Sequence, residues 1–197
     1  TMARAKAIEK RQAAAITEKQ GLLKNIERSD SLKIFQTPFH TQRLAELKQV
    51  AVRYGDTLSG VPVSFTIQQG DRLNLRGPNG CGKSSLLKLI CGENLEFTGS
   101  LWRGNELKIS YVSQDTSGLQ GSFDDFVRES GVEAHLLMAM LNKLDVTRSQ
   151  LEKDLSALSA GQKKKLLLAK SICEPAHLHV WDEPLNYIDV ISRMQLE

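Results

Sequence analysis

The sequence predicts an α/β domain that includes antiparallel strands, preceded by one long helix. Three observations carry this expectation. A glycine-rich stretch, GPNGCGKS (Gly77–Ser84), lies between a strand pattern and a helix pattern. About a hundred residues downstream, the apolar run LHVWDE ends in Asp182 and Glu183. Ahead of both, two segments alternate apolar and polar side chains and are punctuated by Gly-Asp, the mark of antiparallel strands.

Residues 2–28 contain no proline and one glycine, Gly21, and place Ile8, Ala15, Leu22 and Ile26 at helical spacing beside Ile16 and Leu23. That is a helix with a narrow apolar stripe, too thin for a core helix and in need of a partner such as the second arm of an antiparallel hairpin. Residues 1–43 are therefore expected to be a linker helix with its connector, and a separate domain is expected over 44–197. AELKQVAVRYGD and VPVSFTIQQGD read as antiparallel strands, and DRLNLRG as a further strand entering the glycine-rich loop. KSSLLKLICG reads as a helix closed by Gly92, followed by strands over GSLWRG and KISYVSQD. From Ser122 to Leu155 the pattern is helical, clearest in GVEAHLLMAMLNKL. Ser159 is placed to cap another helix running to Ile172 and stopped by Pro175, after which AHLHVWDEP reads as a buried strand. No internal repeat is present.

Composition narrows the class. With 197 residues, 41% hydrophobic and 25% charged, the chain suits one sizeable globular domain plus an appendage. No apolar run reaches the roughly 18–20 residues that span a bilayer, and no signal-peptide pattern opens the chain. The three cysteines, Cys81, Cys91 and Cys173, lack CxxC spacing and read as reduced thiols, so a cytoplasmic location is expected. The net charge of +3 is uneven: residues 1–48 hold ten Lys/Arg against five Asp/Glu, leaving sixteen against eighteen in the remainder. The basic excess thus belongs to the N-terminal segment, as a solvated Lys/Arg-rich helix or as an arm facing nucleic acid.

The glycine-rich stretch fits G-x-x-x-x-G-K-[ST] in its required strand–loop–helix context. Gly77, Pro78, Asn79, Gly80, Cys81 and Gly82 form a loop whose backbone N–H groups can surround a phosphate, with the helix N-terminus adding its positive end. Lys83 is expected to reach the β- and γ-phosphates of ATP, Ser84 to offer its hydroxyl to Mg²⁺, and Ser85 to add a phosphate contact. Cys81 sits at a variable position within the motif. Downstream, Asp182 is the candidate Mg²⁺ partner and Glu183 the candidate general base that orients an attacking water.

Between these lies LSAGQKKKL (Leu158–Leu166), which resembles the LSGGQ signature of the ATP-binding cassette (ABC) family, with Ala160 replacing the first signature glycine. The resemblance covers roughly residues 45–197. It implies a P-loop NTPase cassette with a RecA-like core, an antiparallel β subdomain and a short helical subdomain. It also implies that Ser159, Gly161 and Gln162 grip the γ-phosphate of ATP held by a second cassette, in the same parent chain or in a homodimer. Gln114 in YVSQD matches the family's Q-loop, which touches Mg²⁺. Tyr54 in VRYGD matches the aromatic residue that stacks on adenine. PLNYID (Pro184–Asp189) matches the D-loop, where Asp189 would shape the cassette interface.

About 44 residues separate Gln114 from the signature, fewer than the coupling subdomain of transporter cassettes would imply. EPLNYID resembles the D-loop of ABC-F proteins, which carry two cassettes joined by a helical hairpin and no membrane domain, and most resembles those that protect ribosomes from antibiotics. On that resemblance the chain is a C-terminal cassette with part of its linker, acting on the ribosome and its rRNA. The family's switch histidine would then lie past Glu197, and none of His40, His135, His177 or His179 is placed to replace it. Two alternatives stay open: the nucleotide-binding subunit of a membrane transporter, and an interaction module gated by ATP without useful turnover.

Overall fold

The computed structural model describes residue 34 and residues 36–188. The expected N-terminal helix over 2–28 and the D-loop Asp189 lie outside the described residues. The described residues belong to one compact unit.

Strands β1 (Arg43–Tyr54) and β2 (Thr57–Gln68) pair antiparallel from Tyr54↔Thr57 outward, so Gly55 and Asp56 form the two-residue turn between them. Strand β3 (Phe97–Arg103) pairs antiparallel with the other edge of β1, giving the order β2-β1-β3. Helix α1 (Lys83–Cys91) follows the glycine-rich loop and buries Leu86, Leu89 and Ile90, an i, i+3, i+4 set, against β1. These side chains join Leu44, Leu47, Val50, Val52 and Ile67 in one apolar core. Phe39 enters the same core, and the Thr37 N–H donates to the Ala176 carbonyl at 2.9 Å, so residues 36–42 pack with the strands that follow.

Strands β4 (Ile109–Val112) and β5 (Leu178–Trp181) pair in parallel, in register from Ile109↔Leu178 to Val112↔Trp181. Between them run α2 (Phe123–Ser130), α3 (Ala134–Lys143), two short 3₁₀ turns (Arg148–Leu151 and Leu155–Ala157) and α4 (Ala160–Cys173). The expected helical stretch from Ser122 is thus divided, because Gly131 closes α2 in a left-handed conformation. Helix α4 packs on α3 and along β4. Its Ser171 hydroxyl meets the Ser110 hydroxyl at 2.7 Å and accepts the Trp181 indole N–H at 2.8 Å, tying the helix to both strands.

One expected element is corrected. DRLNLRG joins no strand ladder among the described residues. The reason lies at the end of β2, where the Gln68 N–H donates to Asp71 Oδ2 at 2.8 Å and the Asp71 N–H returns to the Gln68 carbonyl at 3.2 Å. This turn carries the chain out of the antiparallel sheet. Beyond it Leu75 packs against the core while Leu73 stays 55% exposed, so the alternation that suggested a strand has only one of its apolar anchors seated. The strand expected over AHLHVWDEP is also short, since only Leu178–Trp181 are in the ladder.

Candidate active site

The glycine-rich loop closes on itself. Gly82 is the N-cap of α1 with φ 91°, a left-handed conformation, and an added Cβ would stand 2.5 Å from the Ser59 carbonyl oxygen on β2. Backbone curvature and close approach to β2 both demand glycine there. The Lys83 ammonium turns back into the loop and donates to the carbonyls of Gly77 and Pro78, each at 3.0 Å. That places a positive charge inside the ring of backbone formed by the motif. The Tyr54 hydroxyl hydrogen-bonds Ser85 Oγ at 3.0 Å, joining the end of β1 to the first turn of α1.

A cleft of ≈ 450 Å³ opens beside the loop, walled by Ser59, Asn79, Gly80, Gly82, Lys83, Ser84, Ser85, Gln114, Glu183 and Asn186. The cleft thus brings Lys83, Ser84 and Ser85 of the phosphate loop together with Gln114 and Glu183. Gln114 Nε2 donates to Glu183 Oε2 at 2.8 Å, linking the end of β4 to the end of β5. The Asn186 amide donates to the same carboxylate oxygen. Glu183 itself has φ 46°, which costs about 1–2 kcal/mol for a residue bearing a Cβ.

Asp182 sits directly behind this wall, 2% exposed, with its N–H donating to the Val112 carbonyl at 2.9 Å. The Tyr111 hydroxyl nearby is buried without a hydrogen-bond partner, and burial, reinforced by the Asp182 charge, pushes its pKa up to about 12. Ser84 and Gln114 line the cleft and Asp182 lies buried beside Glu183. The Ser84 hydroxyl, the Gln114 amide oxygen, left available because Nε2 serves Glu183, and the Asp182 carboxylate are the oxygens that could hold a small hard cation such as Mg²⁺. Among the described residues no cluster of three or more His, Cys, Asp or Glu makes a closed metal cage.

Ser159, Gly161 and Gln162 stand apart from the cleft walls. Ser159 caps α4: its hydroxyl accepts the Gln162 N–H at 3.2 Å, and Gln162 Oε1 accepts the Ser159 N–H at 2.9 Å. Gly161 abuts the loop after β5, where an added Cβ would lie 2.5 Å from the Tyr187 carbonyl oxygen. Tyr54 is 54% exposed and reaches the cleft only through Ser85.

Three residues of this region were not anticipated. Ser59 gave no signal, since nothing local distinguishes it from other strand serines. Asn186 lies inside PLNYID but was not singled out. Lys164, inside a KKK run that reads as a solvated face, is buried; its spacing four residues before the buried Leu168 was the available signal.

Residues 61–186 match a family model described as ABC transporter. The chain is 32% identical over 165 residues to ATP-binding protein Uup of Caulobacter vibrioides, covering 79% of this chain and 27% of that protein. It is 30% identical over 159 residues to ribosome protection protein VmlR of Bacillus subtilis, covering 79% and 29%. Among solved structures, an ABC transporter ATP-binding protein from Pyrococcus furiosus superposes with a TM-score of 0.65 at 27% identity, covering 77% of this chain and 80% of that one. A phosphate loop, an acidic strand end and a serine-capped signature helix in one α/β unit define the ATP-binding cassette class. The chain belongs to the ABC transporter family and is a cassette of the ABC-F type. It spans less than a third of the length of Uup and VmlR. Among the described residues no helix is long and apolar enough to cross a membrane.

Proposed function

We propose that this cassette binds Mg-ATP in the cleft and, within its full-length parent, hydrolyses it while acting on the ribosome in the cytoplasm. The observation that carries the reading is the Gln114–Glu183 hydrogen bond set opposite the phosphate loop, which puts a carboxylate across the cleft from Lys83 and Ser84. The backbone of Gly77–Ser85 and the Lys83 ammonium hold the phosphates, and the exposed Tyr54 ring offers a face to adenine. Ser84, Gln114 and Asp182 would hold Mg²⁺, which when bound offsets phosphate charge. Glu183 takes the proton of the attacking water as it is oriented for in-line displacement. Ser159, Gly161 and Gln162 do not line this cleft, and they serve the ATP of a second cassette. The N-terminal basic segment supplies Lys and Arg for rRNA phosphates, and the likeness to VmlR supports ribosome protection as the parent's role.

A second reading, the nucleotide-binding subunit of a membrane transporter, is favoured by the match to the Pyrococcus furiosus protein. One experiment separates them. The parent carrying Glu183→Gln is expected to cosediment with ribosomes only when ATP is present, and less so as salt is raised. Adding Lys83→Ala removes a charge-assisted contact to phosphate, weakens ATP affinity by about tenfold or more, and abolishes that association. Failure to associate at low salt, together with copurification of a membrane permease, would establish the transporter reading instead.

A further inference from the structure

Lys164 is 3% exposed, yet it carries an ammonium. That ammonium donates to the Asp182 carbonyl at 2.7 Å and the Ser113 carbonyl at 2.9 Å. These two carbonyls are not arbitrary. Ser113 immediately precedes Gln114, Asp182 immediately precedes Glu183, and the two following side chains hydrogen-bond each other across the cleft wall. One cation therefore fixes the backbone on both sides of the Gln114–Glu183 pair. Burial depresses its pKa, while the charges of Asp182 and Glu183 act in the opposite direction.

The lysine belongs to α4, whose first turn holds Ser159, Gly161 and Gln162. Helix α4 thus touches the site twice from one rigid element. Gly161 bears on the loop at Tyr187, and one turn later Lys164 grips the ends of β4 and β5. A small displacement of the α4 N-terminus moves both carbonyls together, because a buried ammonium with two acceptors cannot let go of either without stranding it. The neighbouring Lys170, near the other end of α4, pairs instead with Glu174 on its own chain segment and has no such reach.

We propose that Lys164 is a positioning residue that couples the signature end of α4 to the Gln114–Glu183 pair, so that engagement of a partner cassette at Ser159–Gln162 sets the Glu183 carboxylate for water activation. This rests on the ATPase reading above. The group acts through backbone carbonyls and is not among the residues that wall the cleft.

The test uses the full-length parent with Lys164→Met, which keeps length and removes the donors, and Lys164→Gln, which restores an amide donor. Lys164→Met is expected to lower kcat about tenfold while KM and Mg-ATP affinity stay within about twofold. Lys164→Gln should recover part of kcat. Unchanged kcat in a folded Lys164→Met variant overturns the coupling. So does a loss of kcat that tracks a loss of ATP affinity and thermal midpoint, or failure of both variants to fold, since each makes Lys164 a structural strut. Lys83→Ala serves as the reference: if it too retains full Mg-ATP affinity, the nucleotide site is misplaced and the fault lies there, not in the Lys164 tie.

Discussion

One wall of the cleft comes mostly from one short stretch, Asn79–Ser85, whereas the facing wall is gathered from Gln114, Glu183 and Asn186, with Lys164 holding the backbone behind it. The phosphate-loop wall is held by short-range contacts: Lys83 returns to carbonyls five and six residues before it, and Gly82 caps the helix it begins. The acidic wall is held by hydrogen bonds between residues 69 apart, Gln114 to Glu183, and 51 apart, Lys164 to Ser113. The first can form as soon as α1 docks on β1. The second exists only once β4, α4 and β5 have all been assembled. The loop is therefore expected to respond to local substitutions, and the acidic wall to anything that loosens the α4–β4–β5 layer.

The largest effect should come from breaking the local wall at its tightest point. Gly82→Ala must hold φ 91° with a side chain, at about 1–3 kcal/mol for the backbone alone. It must also displace β2, because the new Cβ would lie 2.5 Å from the Ser59 carbonyl oxygen and 2.8 Å from its hydroxyl. The expected outcome is a lower thermal midpoint together with loss of ATP binding by calorimetry. A variant that melts and binds like the wild type would mean that the loop does not need this close contact with β2.

A smaller effect tests the assembled wall from behind. Ser171 joins Ser110 and Trp181, and its removal in Ser171→Ala leaves the indole N–H without its acceptor, at a cost of about 1–3 kcal/mol. Ser110 retains Glu174 as a partner, which keeps the loss toward the lower end. The signature of this variant should be a reduced denaturation midpoint with a change in Trp181 fluorescence, while the phosphate loop keeps its ATP affinity. An equal fall in ATP affinity would show that the two walls are not separable in the way their contacts suggest.

The same contrast explains what could be read from the sequence. The phosphate loop, the Ser159 cap, the antiparallel β1–β2 pair and the closure of α1 at Gly92 are all written within short windows, and all are present. Asp182 and Glu183 were legible because their acidic pair ends an apolar run about a hundred residues after a phosphate loop, whereas Gln114 was legible only through its match to a family pattern. Lys164 was hidden because a run of three lysines resembles a solvated face, and its burial depends on carbonyls from two distant strands. The segment DRLNLRG misled for the converse reason. Its alternation is a strand pattern, but pairing depends on the turn at Gln68–Asp71 and on seating Leu73, neither of which the pattern specifies.

The smallest expected effect sharpens the role of Tyr54, which stands where the two modes of construction meet. Its hydroxyl reaches Ser85 at 3.0 Å, a hydrogen bond between a strand end and the phosphate-loop helix. The ring is 54% exposed, so the bond competes with water and contributes about 0.5 kcal/mol, the lower end for a neutral pair. Tyr54→Phe deletes this bond and keeps the ring. If the ring stacks on adenine, ATP affinity should stay within about twofold, because a π-face serves as well without its hydroxyl. Tyr54→Ala removes the face itself, and loss of a base–aromatic stack is worth about 1–3 kcal/mol, or at least about fivefold in affinity. Titration of both variants with ATP, and with tripolyphosphate as a base-free ligand, isolates the contribution. Tyr54→Ala should weaken ATP binding and leave tripolyphosphate unaffected. If the two ligands weaken equally, the tyrosine supports the loop through Ser85 and has no part in holding the base.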